Sequence, residues 1–215
     1  LLEPDEGRYA NISQTMLASG DWMTPRKNGF AHFHKPPLTY WGMALSQKFL
    51  GMNELGVRFP GILYTLGTLL IAMSLARKLW DEKTAVFTAL VLIATPLFLF
   101  MGRLATTDCG MVFWVNLAIY CFALHRKEGK NLFLILTYAA LGAAMMAKGP
   151  VTIVLFYLAA IPLMFLVRKE ARLSIPSHLL GLAAFVAIAF PWYLWVIYKN
   201  PGLLNHFLFY QTTQR

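Results

Sequence analysis

Residues 132–167 read LFLILTYAALGAAMMAKGPVTIVLFYLAAIPLMFLV, an apolar stretch with one charged residue, Lys148, followed by a Gly-Pro break. A helix needs roughly 20 predominantly apolar residues to cross a hydrocarbon layer of about 30 Å. The stretch is therefore read as two short spans, Leu132–Ala147 and Val151–Val167, joined at the lysine. Working outward, the same pattern recurs at Val57–Ala76, Thr84–Met101, Met111–Leu124 and Leu179–Tyr198, making six spans. The expected fold class is all-α, a polytopic transmembrane helical domain.

Composition agrees. Of the 215 residues 13% are charged and 58% hydrophobic, with a mean hydropathy of +0.54, whereas soluble domains carry about a quarter charged residues. The formal net charge of +9 does not point to nucleic acid, because the basic residues gather in turns between spans. Arg77, Lys78 and Lys83 follow the first span, Arg126, Lys127 and Lys130 the third, and Arg168, Lys169 and Arg172 the fifth. These are alternate turns, so the positive-inside rule puts all three in the cytoplasm and the remaining connections outside. Cys109 and Cys121, the only cysteines, lie along one apolar segment and receive no role. The chain starts without Met and in mid-pattern, and is expected to be a piece of a longer protein with a preceding span.

Three regions follow. Residues 1–55 form an outward loop with two amphipathic, interfacial helices, one near Asp5–Ile12 and one around Tyr40 and Trp41, separated by an irregular, breaker-rich stretch over residues 21–37. Residues 56–198 form the helical bundle, and residues 199–215 begin the next outward segment.

Group transfer from a phosphate carrier needs a carboxylate to take the acceptor's proton and cations to neutralise the departing phosphate. Asp5 and Asp108 both fall on the outward side. Asp5 also suits an ordinary first-turn position, favoured by the helix dipole and pairing with Arg8 at i, i+3. Asp108, in Thr106-Thr107-Asp108, also suits an N-cap, beside a helix N-terminus that attracts phosphate. Lys35, in His34-Lys35-Pro36-Pro37-Leu38, either grips a lipid phosphate or snorkels to the interface. Lys148 is a functional hypothesis by default, being a lone ionisable group in an apolar stretch. His32 and His34 share an i, i+2 spacing that serves metal ligation and also arises by accident. Arg103 suits a structural ion pair with Asp108.

Taken in order, Glu3-Pro4-Asp5-Glu6-Gly7-Arg8-Tyr9-Ala10, Gly20-Asp21-Trp22, Lys35-Pro36-Pro37-Leu38 with Tyr40-Trp41, Arg58-Phe59-Pro60, Arg103 with Thr107-Asp108, and Lys148-Gly149-Pro150 resemble the dolichyl-phosphate-mannose protein mannosyltransferase superfamily. Within it the set looks most like the bacterial branch containing the lipid A aminoarabinose transferases. The resemblance covers nearly the whole chain and implies the N-terminal half of a C-type membrane glycosyltransferase. The implied reaction is transfer from a polyprenyl-phosphate-linked sugar donor to a lipid A, lipopolysaccharide-type or other cell-envelope glycan acceptor. The implied location is the inner membrane, with the active face periplasmic.

Residue by residue, the resemblance implies a catalytic pair, Asp5 and Asp108, with Arg8, Tyr9, Lys35, Lys148 and Arg215 lining the donor-phosphate cavity. No cofactor follows firmly, and a divalent metal stays open. The aminoarabinose branch places metal-associated acidic and histidine residues where this chain has His34 and Tyr210. Protein O-mannosyl transfer is the alternative within enzymes, and a lipid transporter or flippase the alternative outside them. The transporter predicts repeats and ionisable groups at mid-membrane, whereas here these groups gather at one face.

Overall fold

The computed structural model describes residues 5–167 and 174–203, and for Asp5 the backbone alone. In chain order the elements are α1 (Asp5–Ser19), a hairpin of β1 (Arg26–Lys27) and β2 (Phe30–Ala31), α2 (Leu38–Leu50), α3 (Glu54–Leu79), α4 (Glu82–Ala94), α5 (Pro96–Arg103), α6 (Thr107–Glu128), α7 (Asn131–Lys148), α8 (Val151–Leu166) and α9 (Ile175–Lys199). All six apolar runs are helical. The helices α3, α6, α7 and α9 are long and apolar enough to cross a membrane, α4 and α5 make a fifth span if taken together, and α8 is apolar over 16 residues.

The polar residues at the breaks set the boundaries. Asn53 caps α3 by accepting the Gly56 N–H at 2.8 Å, and Asp81 caps α4 by accepting the Thr84 N–H at 2.7 Å. Gly129 ends α6 at a φ of +72°, a left-handed conformation that costs glycine little.

Two expectations needed revision. The run Thr84–Met101 is two helices bent by 67°, because Pro96 lacks an N–H and forces Thr95 out of the helical region to φ −78°, ψ 111°. The breaker-rich stretch is not wholly irregular. Asn28 and Gly29 take φ values of 50° and 85°, the positive pair that a two-residue hairpin turn requires, and β1 pairs antiparallel with β2.

The basic turns after α3 and α6 meet the C-terminal end of α8 at one end of the bundle; Arg168, Lys169 and Arg172 lie outside the described residues. Lys127 Nζ donates to the Lys78 carbonyl, Lys78 lies 3.6 Å from Glu128, and Arg126 donates to the Met164 and Val167 carbonyls, each at 2.9 Å. At the opposite end α1 and α2 pack on the start of α3. Tyr9, Ile12, Met16, Tyr40, Met43, Val57 and Ala105 form their shared core. Between the ends, α7 and α9 approach closely where Gly142 faces Ile188 and Gly181 faces the Tyr138 ring. Leu63, Leu66, Leu70, Phe87 and Val91 stay exposed along α3 and α4, the arrangement expected where lipid is the solvent.

Candidate active site

The site begins with a buried carboxylate that was not singled out as functional. Glu6, one residue after Asp5 in the first turn of α1, is 2% exposed. Arg58 Nε donates to its Oε1 at 3.0 Å and Arg58 Nη2 to its Oε2 at 2.9 Å. The Ala105 backbone N–H also donates to Oε1, at 2.8 Å. Arg58 Nη1 reaches the exposed Glu54 at 2.9 Å. The Glu6 carboxylate thus joins the starts of α1 and α3 to the loop just before α6. Two clues were available: Glu6 shares a helical face with Tyr9, Ala10 and Ser13, and Arg58 stands in the quoted Arg58-Phe59-Pro60.

Asp108 lies in the first turn of α6. Thr106, not Asp108, holds the N-cap position, which frees the Asp108 carboxylate for another partner. That partner is Lys148 Nζ, in a half-buried ion pair. Lys148 is the last residue of α7, where the helix dipole favours a cation. Gly149 follows at φ +90°, and its carbonyl accepts the Thr152 hydroxyl at 2.8 Å. The Lys-Gly-Pro turn therefore presents the ammonium to α6 from a fixed backbone. Arg103 ends α5 with its side chain exposed, and Asp108 takes the lysine instead.

Asp108 also stands at the wall of a groove of about 470 Å³ between α3, α4, α5 and α6, lined by Thr65, Thr95, Phe98, Met101 and Met111 among others. The bend at Pro96 opens this groove, and Gly102 lets α5 close on Thr65, since a Cβ there would stand 2.7 Å from Thr65 Cγ2. Its walls are mostly apolar, with the Thr65, Thr68 and Thr95 side chains and the charged Asp108 carboxylate among them, a shape and chemistry suited to a lipid chain with a charged head.

The other expected residues cluster on the α1 side. The Arg8 guanidinium lies 5.2 Å from the centre of the Tyr9 ring. Tyr9 is a core residue whose ring lies 5.8 Å from that of Tyr40, tilted by 46°. Burial first, and then the charges of His34, Arg8 and Lys27, hold the His32 imidazole down to about 4, so it is neutral at pH 7. Lys35 is half-buried just before α2. Arg215 lies outside the described residues, as does the Asp5 side chain. The Asp5 backbone adjoins Glu6, whose carboxylate accepts from Ala105 in the loop just before α6.

The histidine pair does not suit a shared metal. The two rings stack at 4.4 Å and 8°, so their in-plane lone pairs run side by side instead of converging on a point about 2.0–2.1 Å from each. No cluster of three His, Cys, Asp or Glu occurs among the described residues.

Residues 2–205 match the family described as dolichyl-phosphate-mannose-protein mannosyltransferase. The chain belongs to this mannosyltransferase family. Among its curated relatives, the undecaprenyl phosphate-alpha-4-amino-4-deoxy-L-arabinose arabinosyl transferase of Pseudomonas aeruginosa is 34% identical over 217 residues, covering 99% of this chain and 39% of that protein. The enzyme of the same name from Edwardsiella ictaluri is 32% identical, over 100% of this chain and 40% of its own length. The crystal structure of ArnT from Cupriavidus metallidurans bound to undecaprenyl phosphate superposes with a TM-score of 0.85 at 28% identity, covering all of this chain and 41% of that one. The chain thus spans about two fifths of the length of these family members.

Proposed function

We propose that this chain is the donor-handling part of an integral-membrane glycosyltransferase. It moves a sugar from a polyprenyl phosphate to a lipid A, lipopolysaccharide-type or other cell-envelope glycan acceptor, at the periplasmic face of the inner membrane. One observation carries the proposal: Asp108, paired with Lys148, lines a mostly apolar groove, at the end of the bundle opposite the basic turns. A polyprenyl chain lies in apolar surroundings, and its phosphate needs a cation at the membrane boundary.

In the proposed step Asp5 accepts the proton of the acceptor hydroxyl, and the freed oxygen attacks the anomeric carbon of the donor. The bond from that carbon to the phosphate oxygen breaks, and the polyprenyl phosphate leaves with the bonding pair. Lys148 and Lys35, with Arg8 and Arg215 in the roles that the family resemblance implies, neutralise the leaving group, which is electrostatic stabilisation of developing charge. Asp108 is held by Lys148 and serves as a positioning group, which leaves Asp5 the role of base. Tyr9 shapes the cavity wall from the core.

The test is sugar transfer in nanodiscs from a panel of undecaprenyl-phosphate sugars to lipid A or membrane glycans, read by mass spectrometry, with Asp5→Asn alongside. Transfer that disappears in the variant supports the assignment. A variant that still turns over removes Asp5 as the base, and failure of the wild-type chain to bind polyprenyl phosphate removes the donor.

A further inference from the structure

A second groove lies in the half of the bundle next to the basic turns, away from Asp108. Its volume is about 200 Å³, and its walls include Phe122 of α6, Tyr138 of α7, Phe156, Tyr157 and Ile161 of α8, and His178 of α9. The groove follows from how these helices pack. Both α8 and α9 pack on α7. At the α7–α9 seam the Tyr138 ring rests on Gly181, where a Cβ would stand 2.4 Å from the ring. That tight seam turns the Tyr138 hydroxyl onto His178 Nδ1, 3.1 Å away. Along the α8 wall Tyr157, Ile161 and Met164 remain about half exposed.

The rim is cationic. Arg126 donates to the carbonyl of Met164, itself a lining residue, at 2.9 Å, while its Nε is buried without a hydrogen-bond partner among the described residues. A cation, an aromatic groove and a Tyr–His hydrogen-bonding pair therefore meet in the half of the bundle next to the basic turns, the side that the positive-inside rule turns towards the cytoplasmic leaflet.

We propose that this groove is a binding site for one acyl chain of an anionic glycerophospholipid of the cytoplasmic leaflet, with its phosphate drawn to Arg126. Charge complementarity selects this occupant. The adjoining turns carry Arg77, Lys78, Lys83, Lys127 and Lys130 against Asp81, Glu82 and Glu128, with Arg77 paired to Glu82 and Lys78 and Lys130 to Glu128, and so remain net basic; such segments attract anionic lipids over zwitterionic ones. The site is separate from the sugar-transfer site and stands whether or not that assignment holds.

The test is native mass spectrometry of the protein extracted in mild detergent, after equilibration with phosphatidylglycerol or with phosphatidylcholine. The expected result is one retained phosphatidylglycerol, with retention at least tenfold lower for phosphatidylcholine and at least tenfold lower for phosphatidylglycerol in Ile161→Trp, which fills the groove from its exposed side. Equal retention of both lipids, or unchanged retention in Ile161→Trp, overturns the proposal. A photoreactive residue at position 161 of the otherwise unaltered chain gives a second readout that does not need the tryptophan variant to fold. Labelling of phosphatidylglycerol supports the site, and labelling of a polypeptide in its place overturns it.

Discussion

Glu6→Ala is the most informative single perturbation, because it removes three hydrogen bonds to a 2% exposed carboxylate, two from Arg58 and one from the Ala105 N–H. Breaking a buried ion pair by deleting one partner costs about 3–5 kcal/mol, and an orphaned buried N–H costs about 1–3 kcal/mol. Two features reduce the total. Arg58 is partly exposed and keeps Glu54 at 2.9 Å, and truncating Glu6 lets water reach both orphaned donors. The expected loss is about 3 kcal/mol, at the low end of the ion-pair range. That corresponds to a fall of about 6–12 °C in Tm for a chain of this size.

Glu6→Gln keeps an amide oxygen for Ala105 and loses the charge, so about half that loss is expected. Thermal unfolding in detergent measures both variants, and the cycle with Arg58→Ala isolates the pair, with about 2 kcal/mol of coupling expected. A Tm within 1 °C of wild type for Glu6→Ala, or additive single and double variants, would refute the idea that this carboxylate ties α1, α3 and the Ala105 loop together. If the clamp also aligns Asp5 with Asp108, Glu6→Gln lowers the rate of sugar transfer at saturating donor more than it lowers donor affinity. A merely structural role leaves that split unchanged.

Three further outcomes follow. Lys148→Met should lower transfer by about 100-fold or more, as for loss of a group that stabilises transition-state charge, and should weaken polyprenyl-phosphate binding in a direct assay; unchanged binding would remove Lys148 from the phosphate site. His32 is neutral in the folded protein down to about pH 4 but protonates near 6.5 when unfolded, so its stabilising contribution is present above pH 6.5 and lost as pH falls towards 4; the drop in Tm between pH 7.5 and 5 should shrink in His32→Gln, and an equal drop refutes this. Gly67→Ala places a Cβ 2.5 Å from the Phe113 ring and should cost about 1–3 kcal/mol by overpacking the α3–α6 seam, measured by denaturation in mixed micelles, whereas an unchanged midpoint shows that the ring yields freely.

The apolar runs and the lone Lys148 were legible in the sequence because lipid imposes a local rule: every backbone group must be satisfied within its own helix, so each span announces itself by length and composition. The basic turns after α3 and α6 were legible for a similar reason, since the charge rule acts on each turn separately. Each of these signals lies within about 20 residues of chain. The bend at Thr95-Pro96 was marked by its proline, but a continuous apolar run masked it, and only the extended backbone of Thr95 shows that one run became two helices.

Other features depended on residues far apart in the chain. Nothing local says that Glu6 meets Arg58 and Ala105, 52 and 99 residues away, or that Asp108 leaves the capping position to Thr106 and reaches across 40 residues to Lys148. The stacked rings of His32 and His34 agree with their spacing, yet the angle that spoils a shared metal is a tertiary fact. The sequence by itself determined the solvent, the helices and the end of the bundle at which the ionisable residues gather, because burial and charge placement act segment by segment. Only the tertiary structure decided which carboxylate bears the framework and which faces the groove, because a carboxylate's role depends on the donors that packing brings within about 3 Å of it.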